Sequence, residues 1–116
     1  MSSTRRIQGE IAFPANASPG DAVLITIELR DVSLQDQAST VVVSHTLHHV
    51  RIAPAGRVPF GFDAPAVPGR PALALRVQVD MQGGAAHASG DFLSTETSPV
   101  PADGDARALV VPVTRL

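Results

Sequence analysis

Three histidines in the middle of the chain are the residues closest to a chemical motif. His45, His48 and His49 have the i, i+3, i+4 spacing that gathers three imidazoles on one face of a helix, as a zinc site could use. They continue the β-branched run of residues 39–47, and β-branched side chains favour a strand. In a strand, His48 and His49 point to opposite sides and His45 shares a face with His49. We therefore expect solvated or partly packed histidines, with a metal site or a pH-sensitive patch as the alternative.

An Asp/Ser-rich segment after the second predicted strand is the other place where oxygen ligands gather. Asp31, Ser33 and Asp36 lie within six residues of one another. Short polar side chains of this kind bond neighbouring backbone N–H groups in Asx and Ser/Thr turns. We expect such a turn here. A site for Ca²⁺ or another hard cation is the alternative, although the segment lacks the ligand density of an EF-hand loop.

Enzymatic motifs do not emerge from the remaining polar residues. Asp103 and Asp105 flank Gly104, a pattern typical of a solvated turn. The chain has no G-x-S-x-G elbow, no H-E-x-x-H pair and no phosphate-binding glycine loop. The sequence therefore predicts a protein that is not an enzyme and has no cofactor, with no catalytic, cofactor-binding or metal-binding residues. Any partner-binding residues stay unknown at this stage.

Composition narrows the classes of partner. The 116 residues are 44% hydrophobic and 17% charged, with a net charge of −2, which is typical of a globular domain. All nine basic residues are arginines scattered along the chain, and Trp and Tyr are absent, so nucleic-acid binding is not expected. Without Cys there is no disulfide, thiolate zinc site or lipidated thiol in this chain.

Domain organisation and location follow from length and hydropathy. We expect a flexible N-terminus over residues 1–5 and a single domain over residues 6–116. The N-terminal segment has no apolar stretch of signal-peptide length, and no window is long and apolar enough for stable membrane insertion. As written, the chain is expected to be cytoplasmic. The alternative is a periplasmic or envelope protein whose leader has been removed.

Hydrophobic alternation predicts strands throughout. The pattern is strict in the second strand, where Val23, Ile25, Ile27 and Leu29 are expected on one face. It is cleanest in a later strand, where one face is expected to hold Leu73, Leu75, Val77, Val79 and Met81, and a first strand alternates through Ile7, Gly9, Ile11 and Phe13. Gly83-Gly84 suits a tight turn between a strand over residues 71–82 and a weaker one over residues 85–95. The other predicted strands contain residues 7–13, 39–47, 58–62 and 109–113. Seven strands at this spacing predict an all-β, antiparallel two-sheet β-sandwich of about 7–8 strands, Ig-like or transthyretin-like, with a closed barrel as the alternative.

Short phrases along this strand order resemble a known family. GEIAFP at residues 9–14, LRDVSLQD at residues 29–36 and VPFGF at residues 58–62 look like the YbaY/YscW-type lipoprotein family. Its members are small bacterial β-sandwich lipoproteins of the envelope, and the better-understood ones are similar to pilotins, which chaperone outer-membrane secretin subunits of type III secretion systems. The resemblance therefore implies a chaperone-like protein. This chain departs from the family in lacking the signal peptide and the acylated Cys.

Taken with the β-rich sequence, this predicts a non-catalytic interaction module. A protein partner or a second copy of the chain would add a strand to an exposed sheet edge, since no Lys guards the edges. The candidate edges are residues 58–62 and residues 109–113, where Pro59 and Pro112 restrict pairing. The alternative is a carrier of a small apolar ligand between the sheets, lined by the four phenylalanines Phe13, Phe60, Phe62 and Phe92. These side chains are more simply explained as the large residues of the core.

Overall fold

Strands make up the regular structure of the chain. The structure is a computed structural model that describes residues 4–17, 19–33, 39–67, 69, 71–81, 91–94, 98–101 and 104–116. The strands in these ranges are β1 Thr4–Ala12, β2 Gly20–Asp31, β3 Thr40–Ile52, β4 Arg57–Pro65, β5 Leu73–Asp80, β6 Phe92–Leu93, β7 Ser98–Val100, β8 Ala106–Pro112 and β9 Thr114–Arg115. Within the same ranges, none of the structure is a helix with the length and apolar character needed to cross a membrane.

The strands form two sheets, which confirms the predicted all-β sandwich. The smaller sheet has the order β4-β1-β8, and the larger has the order β3-β2-β5-β6-β9, with β7 also pairing with β5. The two described strands that the sequence did not predict, β7 and β9, have only three and two residues, too few to show an alternating pattern.

One strand pair departs from the predicted antiparallel arrangement. Strand β8 runs parallel to β1, whereas the other pairs are antiparallel. The chain passes from β7 in the larger sheet to β8 in the smaller sheet, so no hairpin fixes the direction of β8. Alternation within a strand cannot reveal the direction of its neighbour.

The core lies between the two sheets and is largely aliphatic. Phe13 and Phe92 meet edge to face, with ring centroids 5.1 Å apart. The largest fully buried side chains come from both sheets: Ile7, Ile11, Ile25, Ile27, Leu29, Ile52, Val77, Val79, Phe92 and Val111. The inward faces predicted for β1, for β5 and for most of β2 are therefore confirmed.

The second strand departs from its predicted face at Val23. This side chain is 37% exposed, while Ala22 and Ile25 are fully buried, so the alternation changes phase between them. The register pairs Ala22 with Val50 and Leu24 with His48, which sets Val23 opposite His49. His49 has a φ of 53°, a left-handed conformation that disturbs the regular pleat. The prediction that Val23 faces the core was wrong because the partner strand is distorted there.

The predicted pairing of residues 71–82 with residues 85–95 is partly described. Strand β5 pairs antiparallel with β6 through Gln78–Leu93 and Val79–Phe92, as expected. The turn predicted at Gly83-Gly84 lies outside the described residues. Asp36 and Asp103, named in the turn predictions, also lie outside them.

The two sides of the sandwich differ. On one side the chain leaves β8 in the smaller sheet and enters β9 in the larger sheet, where the Leu116 N–H donates to the Asp91 carbonyl at 2.8 Å. On the other side β3 and β4 each lie at the edge of their sheet, joined by a turn in which the Gly56 N–H donates to the Ala53 carbonyl at 2.9 Å. The chain therefore crosses between edge strands on both sides, through Val113 alone on the first side and through residues 53–56 on the second.

Candidate functional site

Within the described residues, three long strands are paired on one side only, and they are the candidate binding edges. The predicted segments at residues 58–62 and residues 109–113 lie in β4 and β8, which are the two edges of the smaller sheet. Strand β3 is an edge of the larger sheet and is the longest strand described, at 13 residues. The sequence predicted a strand there but not its edge position, because edge position depends on which strands pair in three dimensions.

Backbone features restrict pairing at β4 and β8. Pro59 and Pro65 lie in β4, and Pro112 ends β8; a proline has no N–H to offer a new strand. In β8, Ala108 has a φ of 62°, at the point where the register with β1 shifts. Such a bulge breaks the regular hydrogen-bonding row that an incoming strand needs. These two edges are therefore guarded, although no Lys is present.

Strand β3 is also interrupted, but only near its ends. Its register with β2 shifts where Leu29 pairs with Val43 and Arg30 pairs with Val41. Near the other end, His49 has the left-handed φ of 53°. The pairing is regular over residues 43–48, a stretch with no Pro, Lys or carboxylate. Strand β4 pairs with β1 without a register shift, but Pro59 and Pro65 leave only five residues between them. Residues 43–48 are therefore the longest regularly paired stretch without proline on the three edges.

The histidines lie on this edge and are packed or solvated, as predicted. His45 is half-buried, and its imidazole stacks on Phe62 of β4 at 5.5 Å between ring centroids, with 23° between the ring planes. His48 and His49 are exposed. His45 and His49 were expected to share a face, but they differ in exposure, and the left-handed φ of His49 interrupts the regular strand between them. Among the described residues, no three His, Cys, Asp or Glu side chains gather to hold a metal ion.

The Asp31–Ser33 segment forms the predicted turn. The Ser33 N–H donates to Asp31 Oδ1 at 2.9 Å, and the Ser33 hydroxyl accepts from the Ala72 N–H at 2.8 Å. Hydrogen bonds from the Ser33 side chain and backbone hold the pKa of the Asp31 carboxyl below its usual 3.8. These contacts account for both residues without a ligand.

Asp105 is more than the solvated turn residue that the sequence predicted. Gly104 is exposed with a φ of 76°, which fits a turn. The Asp105 carboxylate accepts the Arg6 N–H at 2.8 Å and the Arg107 guanidinium at 3.0 Å, and so ties β1 to the start of β8. The Arg6 N–H bond is the main reason that the pKa of Asp105 lies below its usual value, with a smaller contribution from Arg107.

Two arginines hold strands in place, which composition alone could not reveal. Arg5 is only 5% exposed and donates to the Pro101 carbonyl just after β7. Arg30 donates to Glu28 at 2.7 Å, to the Ser39 hydroxyl at 2.6 Å and to the Ser39 carbonyl at 3.0 Å. Arg30 thereby fixes the chain that enters β3, immediately before the register shift.

The four phenylalanines occupy the core. Phe13, Phe60, Phe62 and Phe92 are each at most 7% exposed. They pack against each other or against the His45 ring, with the Phe60 and Phe62 centroids 6.2 Å apart. This packing supports the interpretation that they are core residues, and it gives the apolar-carrier alternative no additional support.

Comparison with known proteins gives one structural neighbour for this fold. No family model and no curated protein matches the chain. A solved structure of an alternative pilotin from the type II secretion system of Vibrio cholerae matches with a TM-score of 0.64 and 18% sequence identity. The match covers 97% of this chain and 98% of that chain. The chain therefore has a pilotin-like β-sandwich fold. Its resemblance to the YbaY/YscW family stays a prediction.

Proposed function

We propose that this protein is a non-catalytic, chaperone-like module that binds a protein partner. The observation that carries the proposal is the fold shared with a secretion-system pilotin over almost the whole of both chains. A shared fold does not by itself transfer a function, so the role must also suit the surface of this chain. The side of the sandwich where β3 and β4 lie next to each other as edges of their sheets offers such a surface.

The more specific form of the proposal is a pilotin role. The partner would be an outer-membrane secretin subunit, and the protein would resemble the YbaY/YscW lipoproteins in acting at the bacterial envelope. Periplasmic or envelope localisation is then expected instead of the cytoplasmic one. Cell fractionation with an antibody against the protein distinguishes these locations.

We also propose that the protein has no enzymatic activity. The carboxylates with lowered pKa values, Asp31 and Asp105, are explained by hydrogen bonds from neighbouring backbone and side chains. Groups tuned for catalysis are expected to converge in a cleft, where burial and neighbouring charges shift their pKa values. Binding without chemistry is the simpler role for these residues.

The test is a pull-down from the source cell with tagged protein, followed by mass spectrometry and sizing. Each of three matched variants places one glutamate on one edge: Val41→Glu on β3, Pro59→Glu on β4 and Val110→Glu on β8. All three positions are exposed, so the variants are expected to fold. Circular dichroism checks that they do.

Stoichiometric recovery of a secretin subunit, reduced by one of the three variants, is the expected result. It would support the pilotin role and identify the binding edge. Recovery of the protein alone would contradict partner binding. Equal recovery with all three variants would contradict binding by a sheet edge.

A further inference from the structure

We infer that residues 43–48 of β3 are a docking edge for a short, extended segment of a partner protein in which apolar side chains alternate with carboxylates. The inference rests on the proposed protein-binding function and adds a location and a partner chemistry. The sequence predicted docking at the segments that lie in β4 and β8. The structure favours β3 for three reasons: its backbone, its side chains and its charge.

The backbone of β3 offers a short row of hydrogen-bonding groups. Strand β3 pairs with β2 along one side, and its other side is a sheet edge. Regular pairing over residues 43–48 spans about 20 Å, a length that suits an added peptide strand. The register shift before this stretch and the left-handed His49 after it end the regular row. A bulge at one end and a left-handed residue at the other favour a short segment over a long strand-to-strand association.

Side chains on the inner face of this stretch are only partly covered. Val43, His45 and Leu47 are half-buried, and their β2 partners Leu29, Ile27 and Ile25 are fully buried. The difference arises because none of the described strands pairs with the outer side of β3. Apolar side chains on the inner face of an added strand would cover these three residues and the His45–Phe62 stack.

Charges along the edge favour carboxylates on the other face of the added strand. The outward residues Ser44, Thr46 and His48 are exposed and bring hydrogen-bond donors, and β3 contains no Asp or Glu. Arg51 is the one charged residue of β3; it is 68% exposed, and its contact with Asp21 at 3.5 Å is solvent-screened. The neighbouring carboxylate, Glu28 on β2, is already bound by Arg30 at 2.7 Å.

A second copy of the chain fits this edge less well. Directly opposed residues of an antiparallel pair share a face of the sheet. In a symmetric dimer, one residue must therefore lie directly opposite its own copy, with the twofold axis between the two. An axis at Thr46 opposes Ser44 with His48 and His45 with Leu47. Such a pair opposes each histidine with a neutral side chain and supplies no carboxylate. Self-association through β3 is therefore an outcome that the test must distinguish.

The test uses the full chain, labelled with ¹⁵N, and a synthetic peptide that alternates valine with glutamate. A peptide that alternates valine with lysine is the control. The variant Thr46→Glu places a carboxylate on the edge, and Thr26→Glu places one directly opposite on β2, on the same face but not at an edge. Thr46→Gln controls for the change in side-chain size. Affinities come from titration, and the location comes from amide shift changes.

We expect the glutamate peptide to bind, with shift changes centred on residues 43–48. We expect Thr46→Glu to weaken binding about fivefold, and Thr26→Glu and Thr46→Gln to weaken it less, because like charges on adjacent strands repel most strongly when directly opposed. Equal binding of the lysine peptide, shifts centred on β4 or β8, or absence of binding would each overturn the inference. If sedimentation shows dimers and Thr46→Glu dissociates them, the occupant of the β3 edge is a second copy of the chain and the inference of a peptide partner is overturned.

Failure of the inference and failure of the proposed function give different results. A pull-down that recovers a secretin subunit, with no peptide binding at β3, would overturn the docking edge and leave the proposed function intact. Peptide binding at β3 without a secretin subunit in the pull-down would support the docking edge and contradict the pilotin role.

Discussion

Gly9 lies where β1 passes very close to β8. A Cβ atom at this position would collide with the Leu109 backbone carbonyl, and its distance to the Leu109 Cβ would be 2.8 Å. Backbone cannot move aside as a flexible side chain can. We expect Gly9→Ala to lower the free energy of unfolding by about 1–3 kcal/mol, as overpacking does, with urea unfolding as the measurement.

Gly61→Ala is the matched control for this prediction. A Cβ at Gly61 would approach the end of the Arg6 guanidinium at 2.7 Å, and that group can swing away. The variant should therefore stay within about 0.5 kcal/mol of the parent, as surface substitutions usually do. If Gly9→Ala lowers the free energy of unfolding as little as Gly61→Ala does, movement of β8 relieves the crowding at Leu109 and the prediction is wrong.

The Asp105 carboxylate makes stability depend on pH in the acid range. Its folded-state pKa lies below the usual 3.8, chiefly because the Arg6 N–H hydrogen-bonds it. A depressed pKa stabilises the fold above the unfolded-state pKa, and this contribution is lost as the pH falls through the folded-state value. Asp105→Asn should therefore be less stable than the parent at pH 7, with the difference shrinking as the pH falls through the acid range.

Urea midpoints of the two proteins across this pH range provide the measurement. Asp21→Asn is the control, because Asp21 is 71% exposed and its contact with Arg51 is 3.5 Å long. At pH 7, Asp21→Asn should lower the free energy of unfolding less than Asp105→Asn does. A constant difference between Asp105→Asn and the parent from pH 7 to pH 2 would contradict the role of the charge.

At the scale of elements, Arg30 is expected to organise the beginning of β3. Its guanidinium bonds the Ser39 hydroxyl, the Ser39 carbonyl and Glu28 at once, and a lysine ammonium cannot match this planar geometry. We expect Arg30→Lys to cost about 1–2 kcal/mol of stability, since hydrogen bonds to charged groups contribute more than neutral ones. Hydrogen exchange should accelerate at residues 40–43, immediately after Ser39.

Arg51→Lys provides the comparison on the same strand pair. Arg51 is 68% exposed and has a single ion pair with Asp21, so its replacement should change stability by less than about 0.5 kcal/mol. Exchange at residues 40–43 should stay as in the parent. Similar exchange in the two variants would mean that the strand pairing, and not Arg30, fixes the entry into β3.

At the scale of the whole molecule, the strand order joins distant parts of the chain. Strand β1 at Thr4–Ala12 pairs with β8 at Ala106–Pro112, so the smaller sheet cannot be completed before most of the chain is in place. Non-local pairing of this kind slows folding, and we expect a refolding time of milliseconds to seconds. Stopped-flow circular dichroism measures it.

The same topology predicts that residues 6–116 unfold as one cooperative unit. Far-UV circular dichroism and NMR signals from both sheets should give coincident urea transitions. Separate transitions for the two sheets would contradict the prediction of a single domain.

Local patterns in the sequence were sufficient for the fold class and for much of the core. Alternation placed Ile7, Ile11, Ile25 and Ile27 inside, because side chains on a strand point to opposite faces in turn. The Asp31 turn was also predictable, since its partner Ser33 is two residues away. These features depend on neighbours in the chain, which the sequence lists directly.

Features that depend on distant neighbours were decided only by the tertiary structure. The exposure of Val23 follows from the distorted His49 opposite it, and the parallel direction of β8 follows from a crossing between sheets. The edge position of β3 is of the same kind, because a strand is an edge only when no other strand pairs with its second side. Alternation specifies which face of a strand is buried, but hydrogen bonding between distant segments decides which strands remain open to a partner.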